Sequence, residues 1–203
     1  MKLYSGTQCL FSHACRFVLK EKDIECDVVF VNDKQVEETV AELNPYGETP
    51  TLADRDLVLY DGMVVNEYLD ERFPHPPLMP SDPTTRAKAR VMMSRLRRDW
   101  LDDVQRCMSS GVKLDKALNR SLSDGLVAMS NHFSENKHAL GEEFSLVDAY
   151  LAVLLWRLNH LQVNLPRQGA KMLDYGKRLF AKPAFQESLS SVEREMRLSL
   201  IHI

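Results

Sequence analysis

The stretch Tyr68-Leu-Asp-Glu-Arg-Phe-Pro-His-Pro-Pro-Leu-Met-Pro80 decides how this chain is divided. It opens as the end of a helix and closes in a run that no helix can continue through. Pro74, Pro76, Pro77 and Pro80 each lack a backbone N–H and fix φ at about −65°. The residue before each proline is steered out of the helical region, so the helix is predicted to end near Arg72–Phe73. The chain beyond that point is extended and stiff. Such a segment can join two domains, or it can hold His75 on a rigid arm where a partner meets it.

Upstream of this run, strands and helices alternate. Lys2–Ser5 reads as a strand. The turn Gly6-Thr-Gln leads to Ser12 as a helix N-cap, and the helix runs to about Lys22 with Ala14, Phe17 and Val18 on its buried face. Cys26–Val31 is alternating and β-branched, hence a second strand. Val36–Leu43 reads as a short helix ended by Asn44-Pro45-Tyr-Gly47. Thr51–Ala53 and Leu57–Tyr60 read as strands across an Asp54-Arg-Asp56 turn. Gly62–Arg72 comes next as an amphipathic helix with Met63, Val64, Tyr68 and Leu69 as its apolar side.

Downstream everything reads as helix: about Thr84–Ser109, Leu114–Asn131, Ser145–His160, Gly169–Ala181 and Pro183–Arg197. Strands first and then only helices argue for an α/β domain followed by an all-α domain. The predicted division is 1–76, a proline-rich linker 77–83, and a helical domain 84–203. A further strong signal is Ser145-Leu-Val-Asp148, a capping box with Asp in place of the usual Glu or Gln. The helix it opens is apolar nearly all round, so it belongs in the middle of a bundle.

With 44% hydrophobic residues, the 203-residue chain can bury a real core. Its longest apolar run, Ala149–Trp156, is far short of a membrane span. The N-terminus enters a strand-like pattern without a leader-like apolar region, so a soluble, cytoplasmic protein is expected. Cys9, Cys15, Cys26 and Cys107 form no Cys-x-x-Cys pair, so reduced thiols are expected. Residues 1–80 carry 7 Lys/Arg and 15 Asp/Glu, a balance of −8, and residues 81–203 carry 19 and 14, a balance of +5. An acidic half disfavours nucleic acid and suits a basic protein surface.

Several residues are candidates for chemistry. Cys9 lies between the first strand and the first helix, where a helix N-terminus would stabilise a thiolate; the competing reading is a buried, inert thiol. Arg16 is one to two turns further on, too far to help it. Thr49-Pro50 opens the third strand, a place where a cis bond can occur although sequence alone does not decide it. Asp61 can cap the helix that begins at Gly62, or bind a ligand ammonium. His75, between two prolines, is a linker residue or a presented imidazole. It has no partner at metal-ligand spacing, nor do His132 and His138, so no metal is expected. Arg86, Lys88, Arg90, Arg95, Arg97 and Arg98 make a basic stretch. Without interleaved aromatics beyond Trp100, it suits a solvated face or another subunit's acidic half better than phosphates.

With these pieces placed, the chain resembles the glutathione transferase superfamily over essentially its whole length. The strand–helix opening, Thr49-Pro50, Glu67-Tyr68-Leu69 and Phe144-Ser-Leu-Val-Asp148 carry the resemblance. It implies a thioredoxin-like domain of βαβαββα order, a C-terminal helical bundle and a homodimer. A narrower resemblance lies in Tyr68–Pro80, Phe144–Asp148, Leu155-Trp-Arg157 and Glu193-Arg-Glu-Met-Arg197, which are similar to the stringent starvation protein A family. Those proteins are RNA-polymerase-associated regulators of stationary phase, starvation and acid stress. This resemblance implies binding to RNA polymerase holoenzyme, including its sigma factor, through a surface around Pro74, His75 and Pro76, with Tyr68 helping to line it.

The superfamily also implies which positions once held glutathione: Cys9, Thr49, Pro50, Asp61 and Gly62. Glutathione-using relatives carry an acidic residue and a Ser at 61 and 62; Asp61 is one methylene shorter than the common Glu, and Gly62 has no hydroxyl. Losing a hydrogen bond to a charged group costs about 1.5–3 kcal/mol, roughly ten- to a hundredfold in affinity. No cofactor and no catalysis are therefore expected. The alternative is a glutathione-dependent thiol transferase with Cys9 as nucleophile, since Cys9 falls where cysteine-type transferases keep theirs.

Overall fold

A computed structural model describes residues 1–198; the stretch 199–203, expected at the end of the helical domain, lies outside them. By contacts the chain divides into two compact units. The first is Met1–Pro77 together with Ala184–Arg194, and the second is Leu78–Pro183 together with 195–198. The sequence boundaries grouped 84–203 as one body, whereas the contacts group Ala184–Arg194 with the first unit.

The first unit runs β1 (Lys2–Gly6), α1 (Leu10–Glu21), β2 (Asp27–Val31), α2 (Lys34–Leu43), β3 (Thr51–Asp54), β4 (Leu57–Tyr60) and α3 (Gly62–Arg72). This is the expected βαβαββα order. The sheet order is β2-β1-β3-β4. β1 pairs parallel with β2, with Leu3 opposite Val28, and antiparallel with β3, with Leu3 opposite Leu52. β3 and β4 form an antiparallel hairpin. α1 packs on α3 and β1, and α3 also packs on β3 and β4. Leu3, Leu10, Ala14, Phe17, Val18, Leu52, Val65 and Leu69 are buried and form this unit's core.

Two local expectations fail for physical reasons. Ser12 is not the cap of α1: Cys9 holds that place, and Ser12 lies inside the helix, where its Oγ accepts from the Gly6 amide at 3.1 Å. The buried stripe of α3 is Gly62, Val65, Asn66, Leu69 and Asp70, so of the expected apolar side Met63, Val64, Tyr68 and Leu69 only Leu69 is buried. The spacing is that of an ideal helix face, but two of its members are polar, so hydrophobicity alone selects the wrong side.

The second unit is helical. Its order is α4 (Pro83–Leu96), a π-helical turn (Arg97–Leu101), α5 (Asp102–Ser110), α6 (Lys116–Ser130), α7 (His132–Glu135), α8 (Leu146–Arg157), a 3₁₀ turn (Arg167–Gly169) and α9 (Ala170–Phe180). Every residue of α8 is buried, and it touches α4 and α9. The capping box forms: Asp148 Oδ2 accepts from the Ser145 amide at 2.9 Å and from the Ser145 hydroxyl at 2.6 Å. The expected helix Pro183–Arg197 is broken into α10 (Pro183–Ser188) and α11 (Ser191–Leu198). No described helix is long and apolar enough to cross a membrane.

Candidate functional site

The predicted site residues fall into two groups, both within the first unit. Cys9 caps α1, and its Sγ accepts from the Ser12 amide at 3.4 Å and reaches the Thr49 carbonyl at 3.4 Å. The Thr49-Pro50 bond is cis. A Cβ built at Gly6 would lie 2.7 Å from Thr49 Oγ1 and 2.8 Å from Cys9 Cβ, so glycine at 6 lets these segments meet. Asp61 takes a positive φ of 70° and caps α3, its Oδ1 accepting from the Met63 amide at 2.9 Å. Thus the contacts bring Cys9 to Thr49 and Gly62 to Pro50, with Asp61 next to Gly62 in the chain.

Two further features describe this region. Cys9 is only 8% exposed. At Gly62, a Cβ would lie 2.9 Å from Phe11 Cβ and 3.3 Å from Pro50 Cγ. The glycine therefore lets α3 approach α1, and a serine does not fit without moving one of them. Nearby, burial pushes the Cys15 thiol well above its ordinary range. Cys26 is likewise pushed up to about 11, first by burial.

The second group is the loop after α3. Pro74, His75, Pro76 and Pro77 are exposed, whereas Leu78 and Met79 are buried. The His75-Pro76 bond is cis. Lys22, at the end of α1, has a fully buried side chain. Its Nζ donates to Asp70 Oδ1 at 2.7 Å and also to the Pro76 carbonyl. The phenol of Tyr68 donates to Asp54 Oδ2 at 2.7 Å, which ties it to the β3–β4 hairpin. That hydrogen bond from the neutral phenol, together with some desolvation and the carboxylate's charge, raises the Tyr68 pKa. Tyr68 is thus held toward the hairpin and not by a hydrogen bond to Pro74, His75 or Pro76. Among the described residues, no group of three His, Cys, Asp or Glu comes together as a metal site.

Sequence reasoning missed two constellations. Lys22 and Asp70 are 48 residues apart and individually unremarkable. Arg16, considered only for its distance from Cys9, is buried and engaged elsewhere. It donates to Glu193, to the Ser5 hydroxyl, and to the Ser188 carbonyl at 2.8 Å. His13 Nδ1 lies 3.5 Å from the same Glu193 carboxylate. The tail segment is thereby strapped to α1.

Known proteins accord with this geometry. Residues 8–72 match the family model for the glutathione S-transferase N-terminal domain. A glutathione S-transferase from Methylobacillus flagellatus, solved with GSH bound, is 26% identical with a TM-score of 0.80, covering 93% of this chain and 98% of its own. Glutathione S-transferase Z1 of Arabidopsis thaliana is 28% identical over 99% of this chain and 96% of its own. The fold is therefore that of the glutathione transferases. A stringent starvation protein A homolog from Coxiella burnetii is 41% identical over 97% of this chain and 95% of its own length. One from Pasteurella multocida is 40% identical over 93% and 90%. The chain belongs to the stringent starvation protein A family.

Proposed function

We propose that this protein is a non-catalytic, cytoplasmic regulator that associates with RNA polymerase holoenzyme and its sigma factor in stationary phase, starvation and acid stress. The Pro74-His75-Pro76 surface makes the contact. The observation that carries this reading is the loop itself, exposed at Pro74–Pro77 and anchored from below by a buried lysine, in a member of this family. A loop whose φ angles are fixed by proline rings loses little conformational entropy on binding. His75 supplies a ring nitrogen for a hydrogen bond or a charge. The acidic balance of residues 1–80 suits a basic protein surface and argues against direct contact with nucleic acid.

The active form is a homodimer. On the first unit, Tyr46 is 70% exposed, lies edge-on to Tyr60 at 5.6 Å, and has Val64 of α3 also exposed. On the second unit, α4 and α6 bound an apolar groove of about 910 Å³, floored by Trp100 and Gly125 and lined by Val91, Met92, Lys88 and Arg95. An aromatic knob on an acidic body and a groove with basic flanks are complementary. Insertion of one copy's knob into the other copy's groove satisfies both.

The test is a pull-down of polymerase holoenzyme with Pro74→Ala/His75→Ala. Capture is expected to be lost while the thermal melt stays near wild type, because the substituted side chains are exposed; intact capture by the folded variant contradicts the assignment. A second reading, glutathione-dependent thiol transfer by Cys9, is favoured by the convergence of Cys9, Thr49 and Pro50. It requires mixed-disulfide turnover with glutathione that is lost in Cys9→Ser. No heat of glutathione binding at millimolar ligand would remove it. It stands second because Cys9 is buried and Gly62 leaves no room for the missing hydroxyl.

A further inference from the structure

The least expected polar group in the first unit is the Lys22 ammonium. Lysine is almost never fully buried without a partner, yet this side chain has no exposed surface. One partner, Asp70, is itself nearly buried on α3 and would neutralise the charge alone. The second partner is the Pro76 carbonyl, in the middle of the proline loop. An ammonium carries three donors in a compact head, so it can hold a carboxylate and a carbonyl at once. Lys22 therefore connects the end of α1, the last turns of α3 and the loop. The loop cannot anchor itself through its own amides: of Pro74–Pro77 only His75 owns a backbone N–H, so a donor from outside the run is what can hold its carbonyls.

We propose that Lys22 and Asp70 are positioning residues for the Pro74-His75-Pro76 surface: Asp70 fixes the Lys22 ammonium, and the ammonium holds the loop in its binding shape through the Pro76 carbonyl. This rests on the reading of that loop as the polymerase-binding surface. Neither residue touches the partner. Both act by keeping the exposed side chains in one arrangement before the partner arrives, which is preorganisation.

The experiment must separate positioning from plain stability. Removing Lys22 alone strands a buried carboxylate and can unfold the unit. The double variant Lys22→Met/Asp70→Leu removes both charges and refills the space with apolar atoms, an exchange that buried ion pairs often tolerate. Its melting temperature is expected near wild type. Two quantities are then read on the full chain. The backbone order parameter of the His75 amide is expected to fall from the rigid value of about 0.85 to below about 0.6. Affinity for purified polymerase holoenzyme is expected to fall at least about tenfold. Asp70→Asn keeps an oxygen that accepts from the Lys22 ammonium, so its loop order is expected to be retained; a mobile loop in that variant would overturn the hydrogen-bonded tether.

An unchanged His75 order parameter in the stable double variant overturns the tether, whatever the partner is. A mobile loop with undiminished affinity, when Pro74→Ala/His75→Ala abolishes binding, overturns the positioning role. Failure of the wild-type protein to bind holoenzyme overturns the function reading and the positioning role with it; the order parameter still decides separately whether Lys22 holds the loop.

Discussion

Gly62 shows how one residue carries both a structural and a functional consequence. A serine there would supply the hydroxyl that glutathione-using relatives have, but its Cβ would sit 2.9 Å from Phe11 Cβ. Overpacking of that kind costs about 1–3 kcal/mol. Gly62→Ser is accordingly expected to lower stability by that amount in urea denaturation and to gain no glutathione binding in calorimetry. Tight binding by the variant would mean that the hydroxyl alone had been missing. Asp148 is a second informative residue. Burial opposes its ionisation, but the His138 ring 3.4 Å away and hydrogen bonds from Ser145, Tyr175 and the Ala139 amide outweigh that and hold its carboxyl below the usual range. Its folded state thus binds fewer protons than its unfolded state. The stabilisation is fully present above the unfolded value of about 3.9 and is lost as pH falls through the lower folded value. Stability measured from pH 6 downward should fall in acid, and the fall should be shallower in Asp148→Asn. An equally steep profile in that variant would place the acid sensitivity elsewhere.

Elements were legible where their signals are local. The proline run ends α3 at Arg72 because proline and its preceding residue forbid helix, and Ser145 with Asp148 opens α8 because both partners lie within four residues. Features set by distant partners were not legible. Asn66 and Asp70 turn inward on α3 although they are polar, and Asp70 does so because Lys22, 48 residues away, is there to meet it. The break between α10 and α11 has a local part that was readable but missed, the reciprocal Ser190–Glu193 capping box at 2.9 and 3.1 Å, and a distant part, the Ser190 hydroxyl donating to the Thr7 carbonyl at 2.6 Å. This strap converges on Arg16 and Glu193, which are 177 residues apart. Breaking a buried ion pair from one side costs about 3–5 kcal/mol. Arg16→Met is expected to lose that much stability in a denaturant titration, and a loss under about 1 kcal/mol would show that the strap contributes little.

At the scale of the whole molecule, the residues around Cys9 and the exposed proline loop share one thioredoxin-like unit. The fold was readable from sequence because its strands and helices follow in a fixed order with local signals. Exposure of the loop, its anchoring by Lys22 and the space at Gly62 were not readable, because they exist only in three dimensions. The proposed homodimer belongs at this scale too. Tyr46→Asp puts a charge on the exposed aromatic knob and removes what would be an interface anchor, worth about 2 kcal/mol or more if it is a hot spot. Sedimentation is expected to report a dimer for wild type and a monomer for Tyr46→Asp at the same concentration; a dimeric variant would move the interface elsewhere. The central claim is that partner binding belongs to Pro74-His75-Pro76 and not to the cleft at Cys9. Equilibrium affinity for polymerase holoenzyme, measured side by side for wild type, Cys9→Ser and Pro74→Ala/His75→Ala, tests it most directly. The account predicts wild-type affinity for Cys9→Ser and a loss of at least about a hundredfold, near 2.8 kcal/mol, for the loop variant. Loss in Cys9→Ser with affinity retained in the loop variant would contradict it.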